Sequence, residues 1–293
     1  MNKVSVIIIT YNRPLTVLKR AILSVLNQDY SNFELFVVND LPENEYLSLQ
    51  IKNMIDEFSD NRVKYLSYDK NHGSNYARNY GMLHSTGEYI AFLDDDDEWL
   101  STKLRKQVEL MEKDAKLALV ACGFYLVKDD KIVGEKPAFN KRNKSISYLL
   151  ESNYIGGTSF PLLRRNAVLE VGGFDNEMVS CQEYDLWIRL RCDYNFASVE
   201  EPLGKYYISG DSVYKKSQKR YYLGDKRIIE KYHDLFERYK KSFNIHLNLM
   251  SYNFRVAKAF DYSKEYRRMA VKIRPFSLAN CPLLYKAIMK IMD

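Results

Sequence analysis

Only four cysteines occur in 293 residues, Cys122, Cys181, Cys192 and Cys281. None stands in a C-x-x-C pair and none has a histidine at metal-site spacing, so no structural zinc site is expected of them. They read as reduced thiols of a reducing compartment, three of them beside apolar neighbours. Long apolar runs are missing as well: no stretch approaches the roughly 20 residues a membrane span needs. Behind Met1-Asn2-Lys3 the chain enters a strand-like run, without the apolar core and small-residue cleavage site of a signal peptide. The expectation is a cytoplasmic protein that at most lies on the inner face of the cell membrane. No G-x-G-x-x-G follows the first strand-like run and no G-x-x-x-x-G-K-[ST] occurs. Their absence argues against a dinucleotide dehydrogenase and a P-loop kinase. Repeats and Gly/Ser/Pro-rich linkers are also absent.

What is present is globular in character, with 46% hydrophobic beside 28% charged residues. The length suits an α/β nucleotide-binding core with a modest appendage. A formal charge of +6 and a pI near 8.8 favour anionic partners without choosing among nucleotide diphosphates, nucleic acid and anionic lipid.

Val4-Ser5-Val6-Ile7-Ile8-Ile9 is β-branched with almost no alternation, which suits a strand buried on both faces of a parallel sheet. Pro14 suits a first helical turn, and Leu15, Leu18, Ile22, Val25 and Leu26 continue a helical stripe. Strands are predicted again over 33–38, 62–66 and 89–93, with a helix whose stripe is Leu47, Ile51, Met54, Ile55 and Phe58, and another over 77–84. Four strand–helix alternations predict a mostly parallel α/β sheet flanked by helices. Ligands of such sheets bind at the carboxyl ends of the strands. Thr10, Asn39-Asp40 and Asp94 to Asp97 stand at those ends. Beyond Trp99 the pattern predicts a helix over about 100–113, strands over 117–127 and 154–163, a helix over 183–191, and helices rich in Lys, Arg and Tyr from about 217 onward.

Four adjacent carboxylates, Asp94-Asp95-Asp96-Asp97, repel one another behind an apolar strand. A divalent cation removes that cost, and few hard oxygen ligands on a loop suit Mg²⁺ or Mn²⁺ shared with a substrate diphosphate. A solvated acidic turn capping the next helix explains the cluster equally well. Asp40 is a second strand-end acid. Asn71 to Asn79 combines a glycine turn, a helix start and Arg78, all compatible with a phosphate and none specific for one.

Taken together, Val4 to Arg13, Val37-Val38-Asn39-Asp40, Ala77-Arg78-Asn79 and Phe92 to Trp99 resemble the family 2 glycosyltransferases of GT-A fold. Gly172-Gly173-Phe174-Asp175 and Cys181 to Arg189 continue the likeness in the same order, over about two thirds of the chain. The resemblance implies that Thr10, Tyr11 and Asp40 line a nucleoside pocket and that Arg78 lies near the diphosphate. It implies a D-x-D motif in which Asp94 or Asp95 reaches the ribose and Asp96 holds the metal. Glu183 stands where the family places its catalytic base, commonly an Asp, and keeps the carboxylate with one more methylene. Many relatives carry a His near Tyr207 to Asp211, where Ser209 stands here, and the contact it makes is then lost, taken by Asp211 or unnecessary. The implied gathering is Asp40, Asp94–Asp96 and Glu183 around one cavity.

The implied reaction is an inverting transfer from a nucleotide-sugar, a UDP-sugar favoured, to a hydroxyl of a glycan or polyprenyl-linked acceptor, in bacterial surface polysaccharide synthesis. A catalytically weak nucleotide-sugar-binding subunit that partners an active enzyme is the alternative. The expected division is a catalytic domain over 1–215, its nucleotide-sugar half about 1–100 and its acceptor half about 101–215, then a basic helical extension over 216–293. That extension interleaves Lys226, Arg227 and Lys231 with Tyr221, Tyr222 and Tyr232, and later carries Arg255, Lys258, Arg267, Arg268, Lys272 and Arg274. Such helices suit an anionic membrane surface or a solvated basic face. Nucleic acid is not expected, since no binding motif accompanies the charge.

Overall fold

The computed structural model describes residues 2–139, 145–208 and 218–280. Ser209, Asp211, Cys281 and the 215/216 boundary therefore lie outside the described residues. In chain order the strands are β1 (Val4–Thr10), β2 (Phe33–Asn39), β3 (Val63–Ser67), β4 (Tyr89–Asp94), β5 (Glu98–Trp99), β6 (Leu117–Lys128), β7 (Lys131–Lys136), β8 (Leu162–Arg164) and β9 (Asn195–Tyr207). The helices are α1 (Leu15–Leu26), α2 (Glu45–Glu57), α3 (Ser74–His84), α4 (Lys103–Met111), α5 (Ile146–Glu151), α6 (Arg165–Glu170) and α7 (Gln182–Asp193). Four more follow: α8 (Gln218–Lys231), α9 (His233–Arg238), α10 (Lys240–Val256) and α11 (Phe260–Ile273). Two units divide them. The first takes 2–139, 155–177 and 185–208; the second takes 145–154, 178–184 and 218–280.

The first unit is one mixed sheet in the order β3-β2-β1-β4-β8-β6-β9-β5, with β7 paired to β6. β3, β2, β1 and β4 run parallel, as the four strand–helix alternations predict. Their interior positions bury Val6, Ile7, Ile8, Leu35, Val37, Val38, Ile90 and Leu93 completely, since helices cover both faces. Register then does the positioning. Thr10 pairs with Asn39 across β1 and β2, and Ile9 pairs with Asp94 across β1 and β4. Three strands therefore end side by side, and the residues just past them share one edge.

The second half of the sheet departs from the sequence pattern. β8 is antiparallel to both β4 and β6, while β6 and β9 are parallel. The extended segment expected over 154–163 pairs only from Leu162. Before that, its carbonyls serve side chains instead of a ladder: Ser159 O accepts from Trp99 Nε1 at 2.6 Å and Phe160 O from Gln107 Nε2 at 2.8 Å. The helix expected from residue 100 starts at Lys103, because Glu98–Trp99 pairs with β9 as β5.

Glu34 is an acid inside this sheet, only 2% exposed. Lys3 Nζ and Ser5 Oγ donate to it at 2.8 Å each, and Thr86 donates its N–H at 2.7 Å and its hydroxyl at 3.0 Å. Burial pushes the carboxyl up, but these donors outweigh burial and hold it at about 2, against an ordinary 4.5. A depressed folded value adds stability that is complete above the unfolded value and is lost as pH falls through the folded one. Glu34→Gln is expected to remove about 2 kcal/mol at neutral pH, after allowance for the exposed lysine partner. It should also flatten the decline in stability between pH 4.5 and 2, read by urea unfolding at stepped pH.

The second unit is helical. Its interior collects Leu149 and Leu150 of α5, Ile228 of α8, Phe236 of α9, Phe243, Leu247 and Phe254 of α10, and Tyr266 and Ala270 of α11. Among the described residues, no helix is long and apolar enough to cross a membrane.

Candidate active site

The edge where β1, β2 and β4 end holds most of the residues the sequence singles out. Thr10 closes β1 and is 2% exposed, while the neighbouring Tyr11 is 56% exposed. Asp40 follows β2, and its Oδ1 accepts from Tyr68 Oη at 2.5 Å and from the N–H groups of His72 and Gly73 at 3.2 and 3.3 Å. Asn71 Nδ2 donates to the Asp40 carbonyl at 2.7 Å. Asp40 thus fastens the turn that opens α3, where Gly73 adopts φ +87°. Burial first, and Asp40 next, raise the Tyr68 phenol far above its ordinary value, so it remains a donor.

The four consecutive acids do four different things. Burial alternates along them, Asp94 and Asp96 partly open, Asp95 and Asp97 5% and 1% exposed. Asp97 points inward and accepts from Ser159 Oγ at 2.6 Å and from Tyr207 N–H at 3.3 Å. Burial, then the charge of Asp94, pushes it well above the usual carboxylate range. Asp95 pairs with Arg13 Nε at 2.8 Å; burial raises it to about 6 against the pull of that guanidinium. Asp96 accepts from Arg13 Nη2 at 3.0 Å, and Asp94 from Arg78 Nη2 at 2.9 Å. Asp96 also titrates high, through burial and through Asp94, with Arg13 opposing both.

Asp94 and Asp96 are therefore the two partly open acids, and the charge of Asp94 acts on Asp96. Among the described residues no group of three or more His, Cys, Asp or Glu gathers as an all-protein metal cage would require. Two hard carboxylates completed by a diphosphate or water match the needs of Mg²⁺ or Mn²⁺, so the residues present fit such an ion.

Arg13, Arg20 and Ser159 belong to this edge and were not singled out by the sequence. Arg20 Nη2 donates to the Asp96 carbonyl at 2.7 Å, and its guanidinium lies 3.6 Å from the Tyr207 ring centre. Arg13 closes the run Val4 to Arg13, and Ser159 sits in a loop readable as a plain turn. A cation partner for four acids was the missing signal.

Two further sequence motifs meet on α3. Asn79 Nδ2 donates to Phe174 O and Asn79 Oδ1 accepts from Phe174 N–H, both at 2.8 Å. Phe174 in turn lies 5.4 Å from the Arg78 guanidinium. Gly173 makes this clasp possible: its φ is +68°, and an added Cβ would lie 2.6 Å from Asn79 Oδ1. Gly173→Ala is expected to cost about 2–3 kcal/mol, from left-handed strain and a broken clasp together. A thermal melt reads it directly.

Glu183 belongs to the second unit, in the first turn of α7. It lines a cavity of about 280 Å³ together with Cys181, Gln182, Arg220, Tyr221, Asp225 and His246. Trp187, later on the same helix, is fully buried.

The family pattern described as Glycosyl transferase family 2 matches residues 5–172. A putative colanic acid biosynthesis glycosyl transferase of Escherichia coli K12, WcaA, is 30% identical over 250 residues, covering 83% of this chain and 85% of that protein. The E. coli UDP-Glc:alpha-D-GlcNAc-diphosphoundecaprenol beta-1,3-glucosyltransferase WfgD is 28% identical over 222 residues, 72% of this chain and 79% of its own. Among solved structures, the mannosyltransferase PcManGT of Pyrobaculum calidifontis, in complex with GDP-Man and Mn²⁺, superposes with a TM-score of 0.64. It covers 99% of this chain and 80% of its own, and at 17% identity it speaks for the fold alone, which is of GT-A type. The strand-end edge, the family match and these relatives agree: the chain belongs to glycosyl transferase family 2 and is a glycosyltransferase.

Proposed function

We propose that this chain transfers a sugar, with inversion at the anomeric carbon, from a UDP-sugar to a hydroxyl of a glycan or lipid-linked oligosaccharide in bacterial surface polysaccharide synthesis. The observation that carries the reading is the alignment of Thr10, Asp40 and Asp94 at neighbouring strand ends, with Arg78 on Asp94 and Arg13 on Asp95 and Asp96. Thr10, Tyr11 and Asp40 take the nucleoside, Asp94 or Asp95 the ribose side, Asp94 being the open one of the two, and Arg78 the diphosphate. Asp96 holds Mg²⁺ or Mn²⁺, which when bound neutralises charge on the departing diphosphate. Arg78 adds a fixed cation to that task. Glu183 accepts the proton of the acceptor hydroxyl.

The lipid-linked acceptor is supported by the diphosphoundecaprenol printed in the name of the E. coli relative. Such an acceptor calls for attachment at the membrane surface, for which the basic helices of the second unit are the candidate. In this reading residues 1–100 serve the donor, 101–215 the acceptor and 216–293 the surface. The test is a screen of UDP-, GDP- and dTDP-sugars for hydrolysis and for Mn²⁺-dependent thermal stabilisation. A UDP-sugar at 100 times its Kd should stabilise by about 2.7 kcal/mol. If no donor of the three classes raises the melting temperature, the reading is lost.

A further inference from the structure

Within the second unit α10 and α11 pack against each other, and a cavity of about 390 Å³ lies between them. Their residues meet in reverse order, so the two helices are antiparallel. Ser263 Oγ donates to Ser251 O at 2.7 Å, and Asn244 Nδ2 to Ala270 O at 2.8 Å. Arg267 Nη1 donates to Asn248 Oδ1 at 2.6 Å, and the Asn248 amide is itself buried. The cavity wall carries four cations, Arg255 from α10 and Lys264, Arg267 and Arg268 from α11. Spacing of three and four residues puts the three cations of α11 on one face. Among the described residues no carboxylate lines the cavity. Glu265 is turned to α8, where it accepts from Tyr222 Oη at 2.7 Å and Lys226 Nζ at 3.2 Å. Asp261, in the first turn of α11, is not on the wall either. Arg255, Lys264 and Arg268 are exposed and, among the described residues, have no carboxylate partner.

Cations gathered around one space repel each other, and an anion inside it removes that cost. A single carboxylate fills one guanidinium fork and leaves the other cations uncompensated. A phosphate group carries more charge and several acceptor oxygens, so it engages more than one cation at once. The space exceeds what a bare anion requires: it falls among small organic ligand sites, which measure roughly 300–1,000 Å³. An ester's carbons fit beside its phosphate. Phe276 is fully exposed and Leu278 is 75% exposed, shortly before Ala279 on the wall. Basic side chains with exposed Phe and Leu beside them match the boundary between lipid headgroups and acyl chains.

We propose that this cavity binds the phosphate ester of an anionic lipid headgroup, neutralised jointly by Arg255, Lys264, Arg267 and Arg268. Arg267, fixed by Asn248, sets the floor, and the exposed cations close around the phosphate. The inference rests on the reading that residues 216–293 serve the membrane surface, and narrows a basic face to one site. Every residue of the wall lies beyond the 5–172 match, so the family pattern assigns the cavity nothing.

The test measures co-sedimentation of the full chain with vesicles of phosphatidylcholine, alone or mixed with phosphatidylglycerol. Two double variants remove equal charge. Arg255→Gln with Arg268→Gln strips the cavity and spares the Asn248 clasp. Lys219→Gln with Lys272→Gln removes exposed cations that do not line it. Wild type should bind the mixed vesicles and not phosphatidylcholine alone. R255Q/R268Q should bind about thirtyfold more weakly, the worth of two cations at an anionic surface. K219Q/K272Q should lose less than about threefold, whereas a diffuse basic face predicts equal losses. Melting temperatures with inorganic phosphate and glycerol phosphate form the second arm, which separates free phosphate from lipid. Only the difference between wild type and R255Q/R268Q counts there, since the strand-end edge also takes phosphate. Vesicle binding with equal losses in both variants, and no difference in the phosphate arm, overturns the cavity and leaves the surface reading. No vesicle binding, with phosphate raising the melting temperature of wild type above that of R255Q/R268Q, overturns the lipid and the surface reading and leaves a site for soluble phosphate. Binding of neither probe sinks both.

Discussion

Glu183→Gln is expected to lower the turnover of sugar transfer by about 10²–10⁴, the usual contribution of a positioned general base. Donor binding should be unchanged, because the amide keeps the size of the side chain and the proposed role of Glu183 is to take the acceptor proton, not to hold the donor. The competing role for Glu183 is that of an acid in the first turn of α7, where a negative charge stabilises the helix dipole. That role predicts a different result: a loss of about 0.3–1 kcal/mol in stability and no change in rate. Turnover and melting temperature, measured on one preparation, therefore discriminate. A variant that melts slightly earlier and transfers at the wild-type rate would make Glu183 a helix acid. Glu183→Asp restores the carboxylate with shorter reach and should recover part of the rate, as the usual Asp of the family implies.

Much of the first unit was legible in the sequence because its signals are local. The runs Val4–Thr10 and Phe33–Asn39 are apolar at almost every position, which only burial on both faces explains. Parallel strands then place their polar ends on one edge whatever the details of the loops. Thr10, Asp40 and Asp94 follow from that alone. The unread parts depend on distant partners. The mixed second half of the sheet is set by pairings such as Tyr89 with Arg164 and Glu98 with Lys205, which no periodicity announces. Arg13, before α1, and Arg20, within it, look like ordinary surface cations until Asp95 and Asp96 arrive from about 80 residues away. From the residues alone the tetrad Asp94–Asp97 reads as one acidic feature, and only the family resemblance singles out Asp96; alternation of burial gives Asp97 to the core and Asp96 to the open side.

That division of labour within the tetrad sets the expectation for Asp96→Asn. The substitution keeps shape and the contact with the Arg20 side chain, which uses the Asp96 backbone carbonyl. It removes the hard anionic oxygen that Arg13 Nη2 meets at 3.0 Å and that a divalent cation would take instead. Transfer should fall by at least about 10³, since several kcal/mol of charge stabilisation on the leaving diphosphate go with the cation. The protein without donor should melt no earlier than wild type. Burial and Asp94 both hold the Asp96 carboxyl above its ordinary range, so its charge is unfavourable in the fold and a neutral amide relieves it. Loss of catalysis without loss of stability separates a metal-holding acid from a capping one, whose removal would lower the melting temperature. The decisive measurement is the melting temperature with UDP-sugar over a range of Mn²⁺ concentrations. Wild type should climb with Mn²⁺ and D96N should stay flat. A D96N protein that still climbs would move the ion to another ligand, with Asp94 the first to examine.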